Sequence, residues 1–463
     1  MIRVPKKLKE SLLEAQEMLN NTNNVTVYSK SDCDGIASAA IISLLLDHLN
    51  IKHNVQFITF HNANRINTEN NLTIVTSILS DVEINFNIDE NHKLIIIDHQ
   101  KPLRSPQDSD GYKFLEINTA FYGLDGNYHI SASGLSYLLA NEYGLTDLAW
   151  IAIVGAIGDM QDGPTGKLSH LNEMILKKAV ANGDINLIHD ITLYGRQTKP
   201  LYASLAYFRD FKLPITNDTE KAIEFLNKLK IPYQYEDHYR SSCDLSKEER
   251  HKLYVSLSKM LSKEVSHKYI KYVPKILKLD SYELVKEPKH TIIRDIFELS
   301  NAMKYCATSN KADIGFKILK GERNEVLNTL NDIVKEKRIF LIKLIREISS
   351  KNMIQKLDYI QYFTVNSVPD ELLGTLASRV IAYGDWEKPI VGFRQVDDKL
   401  RVSMRCSRLL GQKGIHLGRT MNKIADSVGG TGGGHFLAAG GYIPLESKEK
   451  FLMKLNTYFK VHI

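Results

Sequence analysis

Asp32 and Asp34 lie in the run Ser-Asp-Cys-Asp-Gly at residues 31–35, directly after the apolar strand expected over 25–29. Alternation along an extended turn points both side chains to one side. Two close carboxylates do not both ionise cheaply without a cation between them, so the pair asks for a divalent metal. An acidic pair before glycine is also common in surface turns, and three further segments decide between these readings. Asp98 and His99 follow the apolar run 94–97, where a second buried strand would end. Asp159 follows the run 151–158, and residues 429–435 read GGTGGGH ahead of Ala438, Ala439 and Gly440. Taken singly, Asp159 reads as a helix cap and the glycines as a flexible loop. Together and in this order, the four segments point to a metal and phosphate site.

The motifs resemble those of the DHH phosphoesterase superfamily, specifically the archaeal RecJ-like proteins that include the GINS-associated nuclease, and the resemblance runs over nearly the whole chain. The family's first motif, HxDxDG, is matched by Lys30, Ser31, Asp32, Cys33, Asp34 and Gly35. Its DHH motif is matched by Asp98, His99 and Gln100, and a GDMQD-type segment by residues 158–162. Residues 118–126, 131–134, 194–200 and 294–301 are similar as well. Residues 403–408, 415–418 and the glycine-rich loop resemble the DHH-associated substrate-binding domain. The resemblance implies that Asp32, Asp34, His99 and Asp159 are the catalytic, metal-binding residues, with manganese (or magnesium) as the ion.

Three positions depart from the pattern. Lys30 stands where the family has the first-motif histidine, Ser77 where a bridging aspartate follows the strand at 72–76, and Gln100 where DHH has its last histidine. Asp81 is the nearest carboxylate to Ser77, but four residues of extended chain would carry it roughly 13 Å away. A two-metal centre clamps a phosphate between ions about 4 Å apart and needs a ligand that reaches both. Losing the bridge should collapse the pair, and the Lys30 ammonium would neutralise Asp32 and Asp34 without metal. The remaining Asp32, Asp34, His99 and Asp159 still suffice for one manganese ion. The expectation is an incomplete centre holding a single ion or none, with impaired nuclease activity; retained activity is the alternative.

The substrate-binding half keeps its residues. Gly432, Gly433 and Gly434 let backbone amides approach a phosphate closely, and Arg405, Arg408, His416 and His435 supply side-chain donors around the same anion. The resemblance implies a protein of DNA replication or repair that holds single-stranded DNA or RNA, with GINS and the replicative helicase as partners. An active manganese-dependent single-strand exonuclease is the second reading. A phosphatase for small substrates such as cyclic dinucleotides ranks behind both.

Positioning these groups takes a layered α/β fold. Strand-like runs at 25–29, 55–60, 72–79 and 94–97 alternate with polar turns and with helical stretches such as 36–49. That pattern argues for a mostly parallel sheet covered on both faces, with functional groups at the carboxyl ends of its strands. The expected organisation is a parallel-sheet DHH domain over 1–215, a lysine-rich helical middle region over 216–357, and a C-terminal α/β DHH-associated domain over 358–463 facing the first across a cleft. In the last of these, 360–365, 389–393 and 400–404 read as strands and 415–428 as a helix. In the middle region Leu253, Leu257, Met260 and Leu261 share a helix face, Ile339, Ile342, Leu344 and Ile345 fall on a later helix, and Lys335, Lys337, Arg338 and Lys343 read as a solvated stripe. Asp162 and His92 read as surface residues.

The 463 residues carry 60 Lys plus Arg against 54 Asp plus Glu, a net charge of +6 that permits nucleic-acid binding without demonstrating it. Cys33, Cys243, Cys306 and Cys406 are scattered without CxxC spacing and read as reduced thiols of a cytoplasmic protein. No apolar stretch approaches the ~18 residues of a membrane helix and no signal peptide pattern is present, so neither membrane nor export is expected.

Overall fold

Strands buried between two helical layers must be apolar on both faces, and the runs ending at Lys30, Thr76 and Asp98 meet that requirement. In a computed structural model that describes residues 2–59, 62, 66, 72–81, 92–103, 113–208 and 212–463, they become neighbours in one parallel sheet. Its strands are β1 (Asn24–Lys30), β2 (Lys52–Ile58), β3 (Leu72–Thr76), β4 (Lys93–Asp98) and β5 (Lys113–Asn118), in the order β2-β1-β3-β4-β5. All four pairings are parallel, so Lys30, Thr76, Asp98 and Asn118 end on the same edge.

The layers on this sheet come from α1 (Lys6–Asn20), α2 (Cys33–His48), α3 (Ala132–Glu142), α4 (Ala149–Gly158) and α5 (His170–Ala181). α4 is apolar almost all round and buried along its length, as a central helix should be. Its close approach to α2 and α3 demands glycine. A Cβ on Gly155 would lie 2.1 Å from Ser133 Oγ and 2.7 Å from Asp34 Oδ1, and one on Gly158 would lie 2.2 Å from Cys33 Sγ.

After α5 comes β6 (Ile185–Ile191), which pairs antiparallel with β7 (Lys278–Leu284) across an excursion carrying α6 (Leu201–Ala206), α7 (Thr219–Lys228), α8 (Lys247–Glu264) and α9 (Val273–Leu277). The chain then runs through α10 (Ile296–Ala307), α11 (Ala312–Leu319) and the long α12 (Glu325–Ser350). The C-terminal part comprises β8 (Gln355–Lys356), β9 (Gln361–Thr364), α13 (Asp370–Val380), β10 (Ile390–Val396), β11 (Lys399–Arg405), α14 (Arg408–Gln412), α15 (Leu417–Asp426), β12 (Thr431–Gly434), β13 (Ala438–Pro444) and α16 (Lys448–His462). Its sheet runs β12-β13-β11-β10-β9-β8.

The stretch between the two sheets is helical but divides its packing. Leu253, Leu257, Leu261 and Ile276 join a core with Val391, Phe393, Met404 and Leu409 of the C-terminal sheet. Leu299, Met303, Leu330 and Leu344 instead join the core of α2 and α4. Ile339 and Ile342 turn outward, 59% and 45% exposed, while Arg338 folds in toward Glu298 at 3.9 Å, so that face is not uniformly solvated.

Other expectations shift locally. His92 is buried, with its ring 3.1 Å from Thr73 Oγ1, and Asp162 is buried as well; neither is a surface residue. The strand expected over 72–79 stops at Thr76, because Ser77 and Leu79 take φ of 62° and 90° and turn the chain. The run at 55–60 ends at Ile58, and Phe60 lies outside the described residues. The helix expected over 415–428 spans Leu417–Asp426. Part of the expected glycine loop is strand β12, paired antiparallel with β13. Among the described residues no helix is long and apolar enough to cross a membrane.

Candidate functional site

The shared edge of the parallel sheet gathers the first three motifs, and each acidic group there already has donors of its own. Asp32 caps α2, accepting from the Gly35 amide at 2.8 Å through Oδ1, while its Oδ2 lies 3.0 Å from Lys30 Nζ. Asp34 is buried at the start of α2 and accepts from two amides at the start of α3, Ser133 at 3.0 Å and Ala132 at 2.9 Å. Asp98 is fully buried and accepts from the amides of His99 at 2.7 Å, Gln100 at 3.2 Å and Ser80 at 3.2 Å.

His99 stands between two carboxylates. Its Nδ1 is 3.4 Å from Asp34 Oδ2 and its Nε2 is 3.1 Å from Asp159 Oδ2. Burial works against a charge on this ring, but the fields of Asp159, Asp34 and Asp98 outweigh it and raise its pKa to about 10. Burial holds the Asp34 carboxyl up at about 6 against the pull of His99. Asp159 also loses solvation, yet His99 and His435 together hold it well below the usual carboxylate range. Lys30 follows the same logic: burial disfavours its ammonium, and Asp32, with Asp98 and Asp159 behind it, keeps it charged.

The C-terminal domain closes over this edge. His435 Nε2 lies 3.4 Å from Asp159 Oδ1, and Arg408 Nη2 lies 2.7 Å from Asp162 Oδ2 while Nη1 donates to the Gly163 carbonyl. Gln412 Nε2 donates to the Pro164 carbonyl at 2.8 Å. Arg408 is thus a clamp between domains. Arg405 is held by Ser378 Oγ at 2.9 Å and Ser403 Oγ at 3.0 Å, and burial followed by repulsion from Arg401 lowers it to about 10. His416 caps α15 by accepting from the Arg419 amide at 3.3 Å and packs on Phe436, which in turn meets Tyr128 of the first domain at 4.9 Å between ring centres.

The three glycines differ in what they permit. A Cβ on Gly432 would meet Met421 at 2.6 Å and one on Gly434 would meet the Ala438 carbonyl at 2.5 Å, so both are demanded by packing. A Cβ on Gly433 would meet nothing within 4 Å, so this position leaves space beside the backbone that internal packing does not use.

Two neighbours had no role in the sequence reading. Lys304, on the α10 face whose Ser300 approaches Gly158, stands in the fields of Cys33, Asp159 and Asp32, while burial lowers its pKa. Asp81 is not carried away along an extended chain. The turn at Ser77 and Leu79 returns it to the mouth of the site, where burial and Asp98 raise it and Lys30 and His99 oppose them. A lysine four residues past Ser300 on an amphipathic helix carried no motif, and the turn rests on positive φ values that serine and leucine seldom adopt.

Carboxylates and imidazole are suitable donors for manganese or magnesium. The donor types suit one ion, but Asp34 and Asp159 face opposite nitrogens of the His99 ring, so the three do not converge on one point as they stand. At the end of β3 the position after Thr76 carries no carboxylate. Ser77 Oγ, buried at the end of β3 without a hydrogen-bond partner among the described residues, is a short neutral hydroxyl.

Comparison with known proteins places this architecture. Residues 193–273 match the DHH-CID domain family and residues 358–461 the DHHA1 domain family. An uncharacterised protein of Methanocaldococcus jannaschii is 27% identical over 462 residues, covering 98% of this chain and 96% of that one. Among solved structures, CDC45 from Entamoeba histolytica is similar with a TM-score of 0.61 at 14% identity, over 99% of this chain and 100% of that one. RecJ in complex with Mn2+ from Thermus thermophilus has a TM-score of 0.59 at 13% identity, over 99% of this chain but only 55% of the longer RecJ. With matches to the DHH-CID and DHHA1 domain families in one chain, on the fold shared by CDC45 and RecJ, the chain is similar to the RecJ-like proteins of the DHH superfamily.

Proposed function

We propose that the protein is a RecJ-like single-stranded nucleic-acid-binding protein of DNA replication or repair whose two-metal phosphodiesterase centre is impaired. The observation that carries this reading is the internal cation at Lys30, whose Nζ sits 3.0 Å from Asp32. Its ammonium neutralises a carboxylate that a metal ion would otherwise bind. The Gly432, Gly433 and Gly434 backbone, with Arg405, His416 and His435 near it, remains as a phosphate cradle facing the same edge. The family resemblance of the motifs supports GINS and the replicative helicase as partners.

An active manganese-dependent exonuclease on single-stranded DNA or RNA is the second reading, favoured by the gathering of Asp34, His99, Asp159 and His435 from both domains. A divalent ion bound there would polarise the phosphodiester and activate the attacking water. In that case His435 would orient Asp159 and the glycine cradle would hold the terminal phosphate.

End-labelled single-stranded DNA and RNA incubated with manganese test the proposal, with Asp34→Ala purified in parallel. Intact oligonucleotides that are retarded in a gel are the expected result. Shortening by the wild type that disappears in Asp34→Ala would overturn it in favour of the exonuclease.

A further inference from the structure

Away from the sheet edge, among the described residues, one set of His, Cys and acidic side chains converges so that its donor atoms all lie within 4.8 Å of one another: Cys243, Asp244 and His290. Asp244 Oδ1 lies 3.3 Å from His290 Nε2 and 3.7 Å from Cys243 Sγ. A tetrahedral shell with bonds of about 2.0–2.3 Å has edges of about 3.3–3.8 Å between its donors. We propose that Cys243, Asp244 and His290 form a transition-metal site, of zinc-like preference, that ties the DHH-CID domain to the loop following β7.

The donors come from segments 47 residues apart, and each is held from behind. The Cys243 amide donates to the Arg196 carbonyl at 3.2 Å, and Arg250 Nη2 donates to the Cys243 carbonyl at 3.2 Å. Asp244 is oriented through its other oxygen, which accepts from the Ser241 amide at 2.8 Å and the Ser241 hydroxyl at 3.0 Å. His290 has φ of 62°, and its amide donates to Gln197 Oε1 at 3.0 Å. Gln197 is in turn anchored on Glu283 at 3.0 Å. With Nε2 as the ligating nitrogen, Nδ1 stays 3.3 Å from Ser241 Oγ, the outer-sphere partner a metal-bound imidazole normally keeps.

A mixed thiolate, imidazole and carboxylate set favours zinc, cobalt or a similar borderline ion over manganese or magnesium. Three protein ligands leave a fourth position for water. Binding takes Cys243 as thiolate, so one proton leaves per ion bound. The site is chemically distinct from the sheet edge, whose donors are oxygen and nitrogen, and it does not depend on whether that centre is active.

The full chain, freed of metal with a chelator and titrated with Co2+, provides the test. The expected result is a thiolate-to-cobalt charge-transfer band with tetrahedral visible absorption that saturates at about one ion per chain and is displaced by zinc. The band should persist in Asp34→Asn, vanish in Cys243→Ser and need at least tenfold more cobalt in His290→Ala. Matching chelator-treated melting curves for the variants show that they fold, and with Cys243→Ser misfolded the His290→Ala titration decides. No band in the wild type, or a band surviving in Cys243→Ser, overturns the assignment.

Discussion

His435 of the C-terminal domain reaches Asp159 of the N-terminal domain, with Nε2 3.4 Å from Oδ1, while the other oxygen of the same carboxylate faces His99 at 3.1 Å. One carboxylate therefore reports to both halves of the cleft. Anything that changes the charge at His99 is felt by the residue that closes the glycine cradle.

Removing the internal cation should expose the metal preference it suppresses. Lys30→Met leaves Asp32 without its ammonium partner, which should cost about 1–2 kcal/mol in the absence of metal. Manganese should then raise the melting temperature of the variant more than that of the wild type. Lys30→His combined with Ser77→Asp and Gln100→His should raise turnover of single-stranded substrate. An unchanged rate with manganese demonstrably bound would sink the idea that these three positions impair the centre.

The glycines of β12 and α15 separate folding from binding. Gly433→Val enters open space, so its melting temperature should stay near that of the wild type while oligonucleotide affinity falls at least tenfold in a fluorescence anisotropy titration. Gly418→Ala would put a Cβ 1.8 Å from the Gly434 carbonyl and should destabilise the fold itself. Equal affinity for Gly433→Val and wild type would remove this backbone from the binding site.

Arg408 and Asp162 form a nearly buried pair across the two domains, 2.7 Å apart. Arg408→Ala strands the Asp162 carboxylate and should cost about 3 kcal/mol in urea unfolding. Separate unfolding transitions for the two domains in this variant would show that the clamp couples them; an unchanged single transition would show that it does not.

A pH dependence should arise at the start of α10. Burial first, and then the charge of Glu298, push Asp295 up to about 7 from the ordinary 3.8, with Arg196 pulling down and Glu283 pushing up behind them. The native state therefore keeps a proton that the unfolded chain has lost between those values. The stabilisation is complete below 3.8 and is lost as pH rises through about 7. Asp295→Asn preserves an acceptor for the Glu298 amide, 3.0 Å away, and should flatten the stability curve across this window, with a gain of at least about 1 kcal/mol at pH 8. Parallel pH curves for variant and wild type would contradict the shift.

Much of the site was legible because local chemistry wrote it. A carboxylate two residues past an apolar strand, as Asp32 follows Lys30, meets its lysine through the chain's own turn, and the internal salt bridge could be anticipated from that spacing. The apolar runs determined the parallel sheet and the edge on which Asp98 and His99 would appear, since period and burial follow from side-chain type alone.

Contacts between distant segments could not be read this way. Asp162 looked like a surface residue until Arg408 folded onto it, and Cys243 looked like an isolated thiol until the loop after β7 brought His290 beside it. Asp81 lies within the fields of Asp98, Lys30 and His99 because Ser77 and Leu79 take positive φ and turn the chain, which no residue type at those positions announces. The sequence by itself determined which donors exist, which strands carry them and which family wording they share. Only the tertiary structure decided which donor faces which, because those pairings depend on packing between elements far apart in the chain, and a charge in a buried site takes its state from whatever neighbour that packing supplies.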